Sequence, residues 1–103
     1  MIRVQISEEA LRDLNEGFLF YERQEPGLGD YFVTCLRSDI ERLKFAAGTH
    51  RIVHEDYQHV VSKIFPYGVF YTLDSKADLA IVWAVIDLRR DPRWIRDHLE
   101  RQP

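Results

Sequence analysis

Cysteine is nearly absent. Cys35 is the only one in 103 residues, which excludes an intramolecular disulfide and any zinc site built on cysteine pairs. One lone thiol suits a reducing compartment, and a cytoplasmic setting is the expectation. Long apolar runs are missing too. The longest, Leu79 to Ile86, is far too short to cross a bilayer and reads as a buried strand, so no membrane association is expected. The opening Met1 to Ile6 has neither the basic start nor the apolar stretch of a signal peptide. Positive charge is in deficit: the formal net charge is −3, so no overall basic field gathers nucleic acid and direct DNA binding is not expected.

What is present supports a packed domain. With 46% hydrophobic and 13% aromatic residues, the chain has material for a core, and one domain over residues 1–103 is expected. The charge is unevenly spread. Residues 1–50 carry 6 Lys/Arg against 9 Asp/Glu, and residues 51–103 carry 8 of each. Within that second half Arg89, Arg90, Arg93, Arg96 and Arg101 crowd together, opposed by Asp91, Asp97 and Glu100.

Periodicity orders the elements. Ile2, Val4 and Ile6 alternate with polar residues as a half-buried strand does. Ser7 caps a helix whose apolar stripe is Leu11, Leu14, Phe18 and Tyr21. Pro26-Gly27-Leu28-Gly29 breaks it. Asp30 is the expected cap of a second helix, striped by Phe32, Cys35, Leu36, Ile40 and Leu43 and stopped near Gly48. So short a loop makes the two helices an antiparallel hairpin. Arg51 to His54 reads equally as a short strand or an irregular connection. Val60–Phe65, Gly68–Leu73 and Leu79–Leu88 follow as strands, with turns at Pro66-Tyr67 and at Asp74 to Asp78. Asp91-Pro92 starts a last helix, with Trp94, Ile95 and Leu99 on its apolar side and a tail beyond Leu99 expected to fray. The pattern predicts an α+β fold of order β-α-α-β-β-β-α, a helical hairpin packed on an antiparallel sheet.

Three stretches carry a resemblance. Pro26-Gly27-Leu28-Gly29-Asp30 with Phe32, Lys63 to Tyr71 (KIFPYGVFY), and Ala84 to Pro92 (AVIDLRRDP) resemble the RelE/ParE toxin superfamily, and the hairpin and last-strand motifs resemble its ParE-like, plasmid-stabilisation members. The likeness spans roughly residues 2–96. It implies a bacterial, cytoplasmic toxin of a type II toxin–antitoxin system, silent while bound by a cognate antitoxin. RelE-like members cut messenger RNA on the ribosome, using several basic residues in the sheet concavity and often a C-terminal tyrosine. ParE-like members lack that set and are associated with inhibition of DNA gyrase. A histidine often stands in relatives where this chain has Asp87.

RNA cleavage needs a group to activate the 2′-hydroxyl and cations to stabilise charge developing on the phosphate. The candidates are Lys63, Arg89 and Arg90, with Tyr71 or His54 as proton handlers. Apart from Lys63 the strands from 59 to 88 hold no Lys or Arg, and no tyrosine follows Tyr71, which argues against that chemistry. The expectation is therefore a protein-binding inhibitor that docks through Tyr21, Tyr31, Arg89, Arg90 and Arg93, the ribonuclease being the alternative. A third reading is a member whose toxicity has decayed. Arg89 and Arg90 equally suit pairing with nearby carboxylates, one structural and the other exposed. His50, His54, His59 and His98 lack zincin spacing, so no metal ligand and no organic cofactor is expected. Phe65, Tyr67, Phe70, Tyr71 and Trp94 read as core, and Cys35 as a small buried apolar residue.

Overall fold

The computed structural model describes residues 1–102. The elements are β1 (Arg3–Ile6), α1 (Glu8–Gln24), α2 (Leu28–Glu41), a single-turn α3 (Leu43–Ala46), β2 (Ile52–His54), β3 (Tyr57–Val61), β4 (Tyr67–Asp74), β5 (Leu79–Asp87) and α4 (Pro92–Glu100). The five strands form one sheet in the order β1-β5-β4-β3-β2. The meander is antiparallel, but β1 joins parallel to β5, Arg3 opposite Leu79 through Ile6 opposite Val82. The segment left open between strand and connection is a short edge strand, β2, antiparallel to β3.

The helical hairpin forms, with its caps rearranged. Ser7 caps α1 as expected, its Oγ accepting from Ala10 N at 3.1 Å. Asp30 does not cap α2. That helix begins earlier, from Gly27 at φ +91°, and its first amides are taken by Glu22 on α1, whose carboxylate accepts from Gly27 N at 3.0 Å and Gly29 N at 3.0 Å. Reaching across the turn lets one helix cap the other. At that junction Gly29 lies so close to α1 that a Cβ there would stand 2.6 Å from the Phe18 carbonyl oxygen.

The third strand is displaced from its expected span, Val60–Phe65, to Tyr57–Val61. Ser62 ends it, because its Oγ accepts from Ile64 N and Phe65 N and turns the chain. Phe65 is thereby swung off the sheet into the helical layer. It packs edge-on against Tyr21 (centroids 4.8 Å apart) and Phe32 (5.1 Å), with Tyr67 4.8 Å from Phe32. The stripe of α1 is shifted by the same packing: Ala10, Leu14, Gly17 and Tyr21 are buried, while Leu11 is exposed.

A β-bulge divides the core in two. Phe70 pairs with Ala84 and Tyr71 with Val82, which leaves Trp83 as the extra residue. Val69, Tyr71, Ala80, Val82 and Val85 face the helical hairpin. Phe70, Ala84 and Ile86 face the other way and are covered by Leu99 and Ile95 of α4, with Trp83 and Leu88 alongside. α4 ends near its expected limit. Gln102, assigned to a fraying tail, is tied back by its side-chain amide, which donates to the His98 carbonyl at 3.1 Å; Pro103 lies outside the described residues.

Gly29→Ala is expected to lower stability by more than about 1 kcal/mol, because overpacking against backbone outweighs the roughly 1 kcal/mol alanine gains in helix propensity. A urea midpoint that rose would refute the close approach of the two helices.

Candidate functional site

The arginines after β5 are bound before any partner arrives. Asp87 ends the strand, and Arg89 folds back on it with Nε donating to Oδ1 at 3.0 Å, Nη2 to Oδ2 at 2.7 Å and its backbone N–H to Oδ1 at 2.9 Å. This fork holds the Asp87 carboxyl below its usual range. Arg90 instead lays its guanidinium 4.0 Å from the centroid of Trp94, which is itself stacked on His98. Of the two arginines, then, one holds the strand end and the other stacks on an exposed ring. Arg93 is 81% exposed and pairs only with the helix-capping Asp91.

Lys63 stands elsewhere. It lies in the turn after β3 and lines a groove with Cys35, Ser38, Asp39 and Arg42. Asp39 there is almost fully buried, and burial raises its pKa, although Arg42 and Lys63 oppose the rise. Lys63 and Arg90 line different cavities, so these two candidate cations do not converge on one site.

The two expected proton handlers are also committed. Tyr71 is fully buried; its hydroxyl donates to Gln58 Oε1 at 3.0 Å and accepts from Gly48 N at 3.1 Å. His50 Nδ1 lies 2.5 Å from the same oxygen. Because the single hydroxyl proton goes to Gln58, His50 must be the donor, which assigns its proton to Nδ1. His54 sits between Glu100 (3.1 Å) and Glu55 (3.4 Å), tying the end of α4 to the β2–β3 turn. Those three side chains are the group among the described residues whose ligand atoms come close enough together to hold a metal ion, and as they stand His54 is hydrogen-bonded to Glu100 with Glu55 beside it.

Tyr21 was expected on a docking surface and is corrected. It is buried at the centre of the aromatic cluster, close to Arg89 and Tyr67. Tyr31 does reach solvent, 47% exposed, edge-on to Phe65. Trp94, expected in the core, is 39% exposed.

Sequence reasoning passed over Asp13. It projects from α1 toward β5, and its Oδ2 accepts from the Val85 N–H at 2.9 Å. Burial pushes its pKa up to about 6; the Val85 amide and Arg90 pull it down, while Glu16 and Glu9 push it further up. Around it opens a cavity of about 320 Å³ lined by Asp13, Glu16, Phe20, Tyr67, Arg90 and Trp94. No local signal marks Asp13, since its partner lies 72 positions further along the chain.

This architecture, a helical hairpin on one face of a five-stranded sheet with a short C-terminal helix on the other, defines the class. It is the fold of the RelE/ParE toxins. The chain is similar to a chain of the chromosomal ParDE toxin–antitoxin system from P. aeruginosa at 11% identity, with a TM-score of 0.77 over 85% of this chain and 97% of that one. It is also similar to the isolated E. coli RelE toxin at 12% identity, with a TM-score of 0.64 over 98% of both chains. No protein-family model matches the sequence, and no curated protein matches it. No helix among the described residues is long and apolar enough to cross a membrane.

Two predictions test the polar framework. The folded pKa of Asp13 lies above its ordinary 3.8, so its contribution is favourable at low pH and is lost as pH rises from about 4 through 6. Asp13→Asn keeps an acceptor for Val85 and removes this dependence; melting curves of both proteins between pH 4 and 8 should converge at the acid end and separate, with the variant higher, above pH 6. Tyr71→Phe strands the Gly48 amide and Gln58 and is expected to cost about 1–3 kcal/mol in denaturant unfolding. A loss near zero would show that the hydroxyl is not the hub.

Proposed function

We propose that this chain is the toxin of a bacterial toxin–antitoxin pair, kept silent in the cytoplasm by a cognate antitoxin. Its action is ParE-like, through binding of a protein target such as DNA gyrase. The fold supports the toxin assignment. The dispersal of the cations supports binding over cleavage: Lys63 is set beside Asp39, Arg89 is held in a fork by Asp87, and Arg90 lies on Trp94. A phosphodiester-cleaving site needs free positive charge converging on one phosphate with a proton acceptor beside it. Here Arg89 and Arg90 are each engaged and Lys63 lines a separate groove, and α4 covers part of the sheet face opposite the helical hairpin.

Docking surfaces for an antitoxin are present. Leu19, Phe20 and Tyr31 are exposed on the helical hairpin, and β1 and β2 are the sheet edges, with Ile52 and Val53 exposed on β2. Such features accept an amphipathic helix or an added strand.

Inducing the chain alone in bacteria that carry a DNA-damage reporter tests the reading. Growth arrest with the reporter on is expected, and Lys63→Ala should leave that arrest intact. Arrest with a silent reporter and new mRNA ends that vanish in Lys63→Ala would establish the RelE-like ribonuclease instead. No arrest at any expression level would remove the toxin assignment.

A further inference from the structure

We propose that the cavity between α1 and the end of β5 is a seat for a cationic side chain, an arginine or lysine presented by the protein partner that the reading above requires. The cavity, about 320 Å³, is lined by the carboxylates Asp13, Glu16 and Asp87 and by the rings of Phe20, Tyr67 and Trp94. Asp87, also on the lining, is already neutralised by the Arg89 fork. Asp13 and Glu16 remain, and neither forms an ion pair among the described residues. Against these two carboxylates the lining offers one cation, Arg90.

Arg90 shows what the seat accepts. Its guanidinium lies over the face of Trp94, so the cavity already holds one cation by ring contact rather than by a carboxylate partner. Phe20 and Trp94, both on the lining, are each more than a third exposed. A cation entering there leaves water for the exposed Phe20 ring and two carboxylates, an environment that strengthens its attraction to both. An acidic side chain would meet Asp13, Glu16 and a chain of net charge −3. Charge complementarity therefore selects a basic occupant.

This inference rests on the proposed antitoxin-binding function, and its test stands apart from that function. The full chain, labelled with ¹⁵N, is titrated with the peptide Ac-Ala-Arg-Ala-NH₂ and with its neutral citrulline counterpart. Saturable shifts are expected at the Trp94 indole N–H and the Val85 amide with the arginine peptide, and none with citrulline. Glu16→Gln, an exposed change that should leave the spectrum and melting temperature unaltered, is expected to weaken binding about fivefold. Equal shifts with citrulline, shifts confined to other surfaces, or unchanged affinity in Glu16→Gln would overturn the seat. Growth arrest is scored separately: arrest without peptide binding rejects the seat alone, and peptide binding without arrest rejects the toxin reading while the seat stands.

Discussion

The structure depends on how β5 satisfies its backbone once its parallel neighbour ends. β1 pairs with β5 only as far as Val82, and the chain then turns into α1 while β5 runs on to Asp87. Unpaired strand groups buried under a helix are costly. Two side chains of the helical segment replace the missing strand: the Ser7 Oγ donates to the Trp83 carbonyl, and Asp13 accepts from the Val85 amide. Those two bonds fix the height and rotation of α1 over the sheet. They also explain why a carboxylate is buried where its charge is disfavoured, and why a cavity opens beside it.

The bulge at Trp83 is the second consequence. One extra residue turns the strand so that Ala84 and Ile86 serve one core and Val82 and Val85 the other. The hairpin helices seal the first with an aromatic cluster around Phe65. The second receives Leu99, and Tyr57 locks that helix by donating its hydroxyl proton to the Leu99 carbonyl at 3.0 Å. Trp83 is held in place by its own indole N–H, which donates to Thr72 Oγ1 at 2.9 Å. Local backbone irregularity thus sets which residues the C-terminal helix meets, and through Trp94 and Arg90 it shapes the cavity on the α1 side.

Some of this was legible in one dimension. The capping serine, the Pro-Gly break and the Asp91-Pro92 start act within a few residues of themselves, and each reappears as read, whereas the stripe of α1 keeps Leu14 and Tyr21 but exposes Leu11. The misreadings have long-range causes. Asp30 lost the cap to Glu22, which reaches back from the preceding helix. Phe65 left the expected strand because Ser62 turned the chain and an aromatic pocket awaited it. Tyr21, on the expected stripe, turned inward to meet that same ring. At the candidate site, the arginines were visible as a cluster, but the pairing of Arg89 with Asp87 and the stacking of Arg90 on Trp94 depend on a turn geometry that composition does not encode.

The sequence by itself determined the order of the main elements other than α3 and β2, the helical hairpin, the apolar centre in β5 and the acidic balance of the chain, because period, caps and charge are properties of neighbouring residues. Tertiary structure alone decided that β1 runs parallel to β5, that Trp83 bulges, that Lys63 and Arg90 line different cavities, and that Asp13 lies buried beside an open cavity. Each of those outcomes rests on a backbone or side-chain partner far away in the chain, and the energy of such a contact exists only once the layers have closed on one another.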